Sequence, residues 1–593
     1  MKRACKVLLL ALAAACAAGG LAACNKTPKE QPKHEHTSGV YSWNETEHWK
    51  TCDECGDKFD AGKHAFTDGV CVCGYALADD QGLVYEYDAG TQSYTVTGLN
   101  KPSATAIVIP EARMNRPVTK IGEGAFSQSN LVYVSIPASI TEIGDNAFAV
   151  KNAITSVVIF DLKAWFNISF GDVFANPMRY GGALYLNGEP VTDLTVPAGV
   201  TQVKDHVFAG CESVTSLTVP EGVQSIGESA FYWCKNLETV TLPASLQTVD
   251  SAAFERCGKL SSISVAAGNA NYRIENDCLV ETATHTVVRG CVNGTVPAGV
   301  TKIGAYAFSG YTEMTAFTIP ETVTEIGEYA FFETGLKSIV IPSKVTELEA
   351  CMFLSCSELA TVQLQEGLTA MGNFVFSYCE KLSEITLPET LKTIRWGAFE
   401  QTGLTEITVS DGVEEIDGEA FRNCASLTKI TFGNGLKRIG ENAFEGCEQL
   451  KGVYITDLAA WCNTLFEGGR YSNPLWFAHN LYLNDTLVTE LTIPASVNEI
   501  AVSAFEYCTS ITSLTIESGV TKILGGAFEY CTNLQTITLP ASVTKLGITA
   551  FADCDKLEHI YFQGTRAQWD EIEKDGSWDR GSKAYTLHCT DDD

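Results

Sequence analysis

The chain has 593 residues, 45% of them apolar and 19% charged, and its formal net charge is -31. An apolar fraction of this size excludes wholesale disorder. So negative a chain repels phosphate backbones, which excludes nucleic acid as an expected partner. One compact core of 593 residues is unusually large, whereas a chain of stacked repeats grows in one dimension and escapes that limit.

The N-terminus has the order of an export signal. Over residues 1–23 a basic start precedes an apolar run and then small residues, which is typical of a secretory signal peptide. The residues Leu-Ala-Ala-Cys that end at Cys24 resemble the lipobox of bacterial lipoproteins, which implies lipidation of Cys24 and anchoring on the outer face of a membrane. An ordinary signal peptide with a chance cysteine is the alternative. No second apolar run of about 18 residues follows, so we expect membrane contact through the lipid anchor only.

A short tether separates the signal from a change in composition. Residues 24–33 are polar and contain two prolines. Residues 34–76 have few aliphatic side chains and carry a Cys-x-x-Cys pair and then a Cys-x-Cys pair, a spacing similar to that of tetrahedral zinc ribbons. Because so small a module needs a cross-link to hold a fold, we predict a zinc-ribbon-like module with a structural zinc ion. The candidate ligands are Cys52, Cys55, Cys71, Cys73, His36, His48 and His64.

Two other interpretations of this module stay open. In an extracytoplasmic compartment, disulfides would cross-link the cysteines equally well, although they would leave the interleaved histidines without a role. Metal capture is the second alternative, since the module has more ligands than one ion uses. A catalytic zinc is disfavoured, because His34 and His36 are two residues apart and point to different faces of a helix.

A repeat dominates the rest of the chain. The pattern I-G-x-x-A-F-x-x-C-x-x-L-x-x-I-x-L-P returns every 22 or 23 residues between 118 and 589. Such a period predicts a solenoid, whose units bury their apolar sides only by stacking on one another. Alternating apolar residues in 77–117 predict a β-rich N-terminal cap over the first open edge. The phenylalanine of the pattern recurs at Phe126, Phe148, Phe208, Phe231, Phe254, Phe308, Phe331, Phe353, Phe376, Phe399, Phe421, Phe444, Phe505, Phe528 and Phe551.

Each repeat divides into three segments. L-x-x-I-x-L/I-P alternates with period two and predicts a short strand with one face toward the core. V-x-x-I-G points two aliphatic side chains inward before a turn at the glycine. A-F-x-x-C has the spacing of one helical turn, with the phenylalanine and the cysteine on the same side. We therefore expect stacked repeats to align their phenylalanines in a buried aromatic column.

A cysteine follows the phenylalanine by three residues in most repeats. A metal or redox ladder is one interpretation of these thiols. We favour a small, buried, weakly polar residue that fills one core position per repeat. Serine, tyrosine or threonine occupies this position in other repeats, and none of them replaces a thiolate ligand. The repeated cysteines are Cys211, Cys234, Cys257, Cys356, Cys379, Cys424, Cys447, Cys508, Cys531 and Cys554.

Inserts interrupt the repeats near 155–190, 266–292 and 451–487. The first and the third share Asp-Leu-x-Ala-Trp, Asn-Pro and Leu-Tyr-Leu-Asn, and the aspartate predicts a helix N-cap. The second predicts a β hairpin. Aromatic residues on such inserts are candidates for ligand binding, but packing against the solenoid is favoured because the tryptophan spacing suits a buried helix face. The candidate binding residues are Trp165, Trp461, Tyr185 and Tyr482.

The repeated Ile-Gly-x-x-Ala-Phe-x-x-Cys residues resemble the BspA-type leucine-rich repeats of bacterial surface proteins. The resemblance covers residues 118–589 and implies a leucine-rich-repeat solenoid, curved, with parallel β-strands and short helical turns, behind the small zinc-ribbon-like module. It also implies a cell-surface location and a role in protein binding or adhesion, with no catalytic residues to transfer. Residues 590–593 form an acidic tail.

The function expected from this sequence is non-catalytic binding of an extracellular protein by a lipid-anchored surface protein. A glycan-binding or glycan-degradation accessory protein is the first alternative, with a glycan as the ligand, and metal capture by the N-terminal module is the second. The sequence has no G-x-S-x-G, H-E-x-x-H or P-loop motif, which argues against an enzyme.

Overall fold

The computed structural model describes residues 41–43, 47–51, 58–63, 66–67 and 70–71, and residues 81–592 apart from 102 and 470. The predicted signal peptide, Cys24 and the tether lie outside the described residues. For His48 and Cys71 the backbone alone is described. The zinc site therefore stays a prediction. Its other candidate ligands lie outside the described residues, namely Cys52, Cys55, Cys73, His36 and His64.

The chain divides into two units, residues 1–77 and residues 78–593. The described part of the first unit consists of short antiparallel strands. In one sheet the order is Tyr41–Trp43, Glu47–Thr51 and Lys58–Lys63. In the other, Phe66–Thr67 pairs with Val70–Cys71.

The second unit opens with the antiparallel strands Leu83–Asp88 and Ser93–Leu99. The second of these also pairs in parallel with Arg116–Ile121, beside which lies the short strand Ala112–Arg113. Their inward side chains, such as Tyr94, are buried. An antiparallel hairpin therefore covers the first edge of the parallel strands that follow.

The L-x-x-I-x-L/I-P segments form the front ladder, in which strands of successive repeats pair in parallel. Within Thr239–Leu242 exposed and buried residues alternate, as period two requires. Glu189–Pro190 and Thr486–Leu487 instead fold back in antiparallel hairpins. The other strands are Ala106–Val108, Tyr133–Ser135, Ser156–Ile159, Ala183–Leu186, Asp193–Thr195, Ser216–Thr218, Ser262–Val265, Ser338–Val340, Thr361–Gln363, Glu406–Val409, Lys429–Phe432, Gly452–Ile455, Leu481–Leu483, Glu490–Ile493, Ser513–Ile516, Thr536–Leu539, His559–Phe562 and Thr586–His588.

The V-x-x-I-G segments form a second parallel ladder, the side ladder, which Arg116–Ile121 begins. A Cβ at Gly327 would lie 2.5 Å from the backbone nitrogen of Ala305 in the preceding repeat, so this close approach requires glycine. The other strands are Glu142–Ile143, Ser169–Phe170, Gln202–Val203, Ser225–Ile226, Thr248–Val249, Lys302–Ile303, Glu325–Ile326, Glu347–Leu348, Ala370–Met371, Thr393–Ile394, Glu415–Ile416, Arg438–Ile439, Leu465–Phe466, Glu499–Ile500, Lys522–Ile523, Lys545–Leu546 and Glu573–Lys574.

The A-F-x-x-C segments form turns, whereas their spacing predicted one helical turn. Around Phe231, the residues Ser229 and Trp233 have positive φ angles of 49° and 54°, which an α-helix does not contain. The amide of Phe231 donates to the carbonyl of Ala253 in the next repeat, at 2.8 Å. Backbone hydrogen bonds thus run between repeats here as they do in the ladders, and this explains why the segment is not helical.

The predicted aromatic column is confirmed. The rings of Phe331 and Phe353 lie 5.4 Å apart and those of Phe353 and Phe376 lie 5.6 Å apart, with 6° between the ring planes in both pairs. All three side chains are fully buried. Stacked phenylalanines therefore link the cores of neighbouring regular repeats, whereas among the described residues no ring contact joins Phe254 to Phe308 or Phe444 to Phe505, where inserts intervene.

The second insert contains three antiparallel strands, Tyr272–Glu275, Cys278–Glu281 and Thr286–Gly290, where the sequence predicted a hairpin. The last of them pairs in parallel with Lys302–Ile303, so the insert continues into the side ladder. The insert therefore has one strand more than the predicted hairpin, and this third strand joins the side ladder.

Short helices lie on the two related inserts and near the C-terminus. Arg566–Glu571 is one of them, and Arg566 forms an ion pair with Asp592 of the acidic tail at 2.8 Å. Among the described residues, no helix has the length and apolarity needed to cross a membrane. The remaining helices are Leu162–Phe166, Leu458–Cys462 and Leu475–Ala478, with a 3₁₀ segment at Val173–Ala175.

Candidate binding site on the front ladder

The repeated cysteines are core residues, as the favoured interpretation predicted. Cys424 is fully buried and donates its S–H to the backbone carbonyl of Phe399 in the preceding repeat, at 3.1 Å. The same bond joins Cys257 to the carbonyl of Phe231, also at 3.1 Å. Burial raises the pKa of the Cys424 thiol to about 11 and that of Cys257 to about 12. Because thiolates, not thiols, bind metals and attack electrophiles, these side chains are structural.

Trp165 and Trp461 are buried, which confirms the favoured packing interpretation and shows that the candidate role of these two residues in ligand binding is wrong. Their side chains are 1% and 2% exposed. The indole N–H of Trp165 donates to the carbonyl of Val207 at 3.0 Å, and that of Trp461 donates to the carbonyl of Ala504 at 2.8 Å. An indole with its one polar atom hydrogen-bonded stabilises the core by removing a large apolar surface from water. The tryptophans therefore pack the inserts onto the solenoid.

The two related inserts also share a bond that the sequence analysis missed. The side-chain amide of Asn176 donates to the carbonyl of Val207 at 3.0 Å, and that of Asn473 donates to the carbonyl of Ala504 at 3.2 Å. These are the carbonyls that accept from the two indoles. The Asn-Pro pair that both inserts share could have predicted this bond, because a buried side-chain amide needs hydrogen-bond partners.

The predicted tyrosines lie on the outward face of the front ladder. Tyr482 is half-buried and stacks on Tyr454, with ring centroids 4.3 Å apart and 6° between the planes. Tyr185 is also half-buried and lies opposite Val158 in the register of the strands. Both positions leave part of the ring accessible, so Tyr185 and Tyr482 stay predicted contact residues.

A groove of about 690 Å³ lies in the front ladder between residues 361 and 431. It coincides with a break in the ladder. Thr361–Gln363 pairs with Ser338–Val340, and Glu406–Val409 pairs with Lys429–Phe432, but residues 384–387 between them form no strand. We call this break the opening. Its outward lining includes Thr361, Gln363, Glu384, Thr386, Glu406 and Thr408.

The opening has a cause in the sequence that the sequence analysis did not recognise. Leu404 follows Phe399 by five residues, where Leu382 follows Phe376 by six, because Thr-Gly shortens the turn. A Cβ at Gly403 would lie 2.2 Å from the carbonyl oxygen of Glu380, so the short turn lies tightly against the preceding repeat. The same Thr-Gly at 334–335 follows a second unpaired segment at 315–319. A shortened turn displaces the strand that follows it, which accounts for the missing pairing between 384–387 and 406–409. The turn before 384–387 has the ordinary length, so turn length does not account for the missing pairing with 361–363.

The opening carries three exposed carboxylates, those of Glu384, Glu389 and Glu406, and none forms an ion pair with another residue in the described part of the chain. Lys429 lines the same groove and lies opposite Glu406 in the strand register, and its ammonium lies over the ring of Tyr454 at 4.3 Å.

The side ladder differs in this respect. Its own groove, of about 460 Å³, includes Glu325, which forms an ion pair with Lys302 at 2.6 Å. Arg438 likewise pairs with Glu415 at 3.2 Å across neighbouring side-ladder strands. The opening in the front ladder therefore carries three carboxylates and one lysine, and none of the three carboxylates forms an ion pair in the described part of the chain.

Most of the repeat region matches one sequence family, described as "BspA type Leucine rich repeat region". The matched residues are 101–170, 183–290, 289–399, 362–470 and 477–573. The chain belongs to this family. The expectation of a leucine-rich-repeat solenoid with parallel strands is thus confirmed by family and by fold. A comparison with curated proteins finds no match.

Solved structures similar to this BspA-type chain come from several bacteria. A leucine rich cell surface protein from Faecalibacterium prausnitzii A2-165 is 21% identical over 65% of this chain and 96% of its own, with a TM-score of 0.37. A leucine-rich repeat protein from Bacteroides ovatus is 20% identical over 87% and 100%, with a TM-score of 0.27. The pneumococcal vaccine antigen PcpA is 16% identical over 82% and 98%, with a TM-score of 0.30. These similarities concern the repeat fold and carry no argument about a ligand.

Proposed function

We propose that this BspA-type chain is a non-catalytic binding protein of the cell surface, lipid-anchored at Cys24, which contacts a protein partner at the opening of the front ladder. The observation that carries the proposal is a groove of about 690 Å³ lined by exposed polar side chains, among them three glutamates against one lysine. Repeat solenoids present extended surfaces of this kind to their partners. The export signal supports the location.

The charge of the groove points to the chemistry of the partner. Glu384, Glu389 and Glu406 would attract a basic surface, and the net charge of -31 adds long-range attraction for such a partner. The buried, protonated core thiols support a non-catalytic role, because they are unsuited to act as nucleophiles. The expected partner is therefore an extracellular protein with an exposed basic segment.

Neutralising the three glutamates of the opening tests this proposal. The mature chain and the triple variant Glu384→Gln, Glu389→Gln and Glu406→Gln are passed over immobilised host matrix proteins and a glycan panel in a surface plasmon resonance experiment. An exposed ion pair contributes about 0.2–1 kcal/mol, so the triple variant should bind its protein ligand about threefold to 100-fold more weakly. The difference should shrink at high salt.

A matched control uses the side ladder. The triple variant Glu325→Gln, Glu347→Gln and Glu349→Gln removes the same charge from the second groove and should leave protein binding within about twofold of the parent, since each of these changes lies away from the opening. Equal losses in the two triple variants would contradict a site at the opening. Binding confined to glycans, or turnover of a glycan, would contradict non-catalytic protein binding.

A further inference from the structure

Two neighbouring strands of the front ladder bring two histidines together on its outward face. The strand His559–Phe562 pairs in parallel with Thr586–His588, and the register sets Tyr561 opposite His588. Ile560 is buried, so the side chains on either side of it in the first strand point outward. Both histidines are half-buried, so water and dissolved ions reach part of each ring. We call His559 and His588 the histidine pair.

The two imidazoles of the histidine pair face each other through their ring nitrogens. Nδ1 of His559 lies 3.1 Å from Nε2 of His588. A hydrogen bond between the rings needs an N–H on one side and a lone pair on the other, so at least one of the two nitrogens is unprotonated. Zinc binds histidine nitrogen at about 2.0–2.1 Å in tetrahedral geometry, which places two ligand nitrogens about 3.3 Å apart. The spacing of the pair therefore suits two ligands of one zinc ion.

The surroundings of the histidine pair hold both rings in place. The ring of Tyr561 stacks on that of His588, with centroids 4.7 Å apart and 12° between the planes, and its centroid lies 5.8 Å from that of His559. The backbone beneath is part of the ladder, in which the amide of Thr586 donates to the carbonyl of Glu558 at 2.8 Å. Ligands that are already held on rigid strands lose little freedom when they bind an ion.

A second cluster of possible ligands near the pair has other partners. Ligand atoms of Cys589, Asp591 and Asp592 lie within 4.8 Å of one another. Asp591 accepts from the backbone amide of Arg566 at 2.8 Å, and Asp592 forms an ion pair with the guanidinium of Arg566, also at 2.8 Å. Asp592 also accepts from the amide of Cys589 at 2.7 Å. These carboxylates are therefore engaged in holding the chain around Arg566, and the cluster carries no proposal.

We propose that the histidine pair binds a divalent transition-metal ion of the zinc class through Nδ1 of His559 and Nε2 of His588. The ion replaces the hydrogen bond between the rings. The proton of the donor nitrogen moves to the other nitrogen of the same ring, so both imidazoles stay neutral and each directs one lone pair at the ion. Zinc sites usually have three or four protein ligands, so two imidazoles give a weak, exchangeable site whose other positions hold water. This site is separate from the opening and from the predicted N-terminal zinc module.

Histidine labelling of the full mature chain tests this site residue by residue. Diethyl pyrocarbonate acylates the unprotonated nitrogen of imidazole, and mass spectrometry of peptides gives the labelling rate of each histidine with and without zinc chloride. Metal on one ring nitrogen and a proton on the other leave no lone pair to react. We expect zinc to slow the labelling of His559 and His588 about tenfold or more, with half-protection of both at the same zinc concentration. Magnesium chloride should protect neither, because magnesium prefers oxygen ligands.

Two variants and one internal control decide whether the histidines act as a pair. His285 is exposed on the second insert and should be labelled at the same rate with and without zinc. In the His588→Gln variant, zinc should no longer protect His559, and in His559→Gln it should no longer protect His588. Unchanged labelling of the parent's pair in zinc would overturn the proposal, as would protection no greater than that of His285. Protection of one histidine that persists without the other would also overturn a shared ion.

Discussion

Raising the pH from 8 to 9.5 is expected to destabilise the folded solenoid steeply, because its core thiols cannot ionise where they are buried. Burial raises the pKa of Cys257 to about 12, and those of Cys356, Cys424 and Cys508 to about 11. In the unfolded chain a thiol has a pKa of about 8.5. The folded pKa is raised, so the stabilisation is complete below about pH 8.5 and is lost as the pH rises toward the folded value.

The size of this effect follows from proton linkage. Each thiol that is protonated in the folded chain and ionised in the unfolded chain costs about 1.4 kcal/mol of unfolding free energy per pH unit. Since an unfolded thiol with a pKa of about 8.5 is only partly ionised in this range, four such thiols cost about 4 kcal/mol between pH 8.5 and 9.5. Urea unfolding curves at pH 7.5, 8.5 and 9.5, followed by circular dichroism, measure the loss.

The matched variant replaces Cys257, Cys356, Cys424 and Cys508 by serine, which keeps a hydrogen-bond donor and does not titrate in this range. Between pH 8.5 and 9.5 the unfolding free energy of this variant should fall by about 4 kcal/mol less than that of the parent, whatever its stability at pH 7.5. Identical pH slopes for variant and parent would mean that the core thiols are not buried as the structure places them.

Replacing Trp461 by alanine is expected to lower the unfolding free energy by about 3–5 kcal/mol, the usual cost of truncating a buried tryptophan. The side chain packs against Phe432 and Phe466, with ring centroids 5.5 and 5.2 Å away, and its indole N–H donates to Ala504. The truncation therefore leaves a cavity and a carbonyl that has lost a donor. Urea unfolding measures the change.

Trp396→Ala is the matched control, because the side chain of Trp396 is 38% exposed on the same solenoid. A surface substitution of this kind is expected to change the unfolding free energy by about 0.5 kcal/mol. The buried placement would be contradicted if the Trp461→Ala variant were as stable as the parent and had lost glycan binding. That result would favour the interpretation in which Trp461 stacks on a ligand.

The solenoid could be predicted because its signal is repeated. One repeat such as that of Phe231 is ambiguous by itself, but the same apolar spacing in repeat after repeat allows only a stacked arrangement. The helical turn predicted for A-F-x-x-C failed at Ser229 and Trp233, whose positive φ angles follow from hydrogen bonds to the next repeat. The residue spacing within one repeat carries no information about the backbone hydrogen bonds that this repeat makes to the next.

The site was harder to predict than the fold. Packing of the insert tryptophans was the favoured prediction, but their partners could not be named, because the carbonyls that accept from Trp165 and Trp461 lie about 40 residues away in sequence and are brought close only by stacking. On its 406–409 side, the opening follows a turn that is one residue shorter at Thr402-Gly403, a change that keeps the apolar repeat pattern recognisable. Its effect is on hydrogen-bond register, which composition and periodicity do not record.

Hydrogen–deuterium exchange of the mature chain, resolved to short peptides by mass spectrometry, tests the central claim most directly. Residues 429–432 pair with strands on both sides and serve as the internal reference. The amides of Ile385, Thr386 and Leu387 should exchange at least 100-fold faster than that reference. Slow exchange at 384–387 would contradict an open ladder.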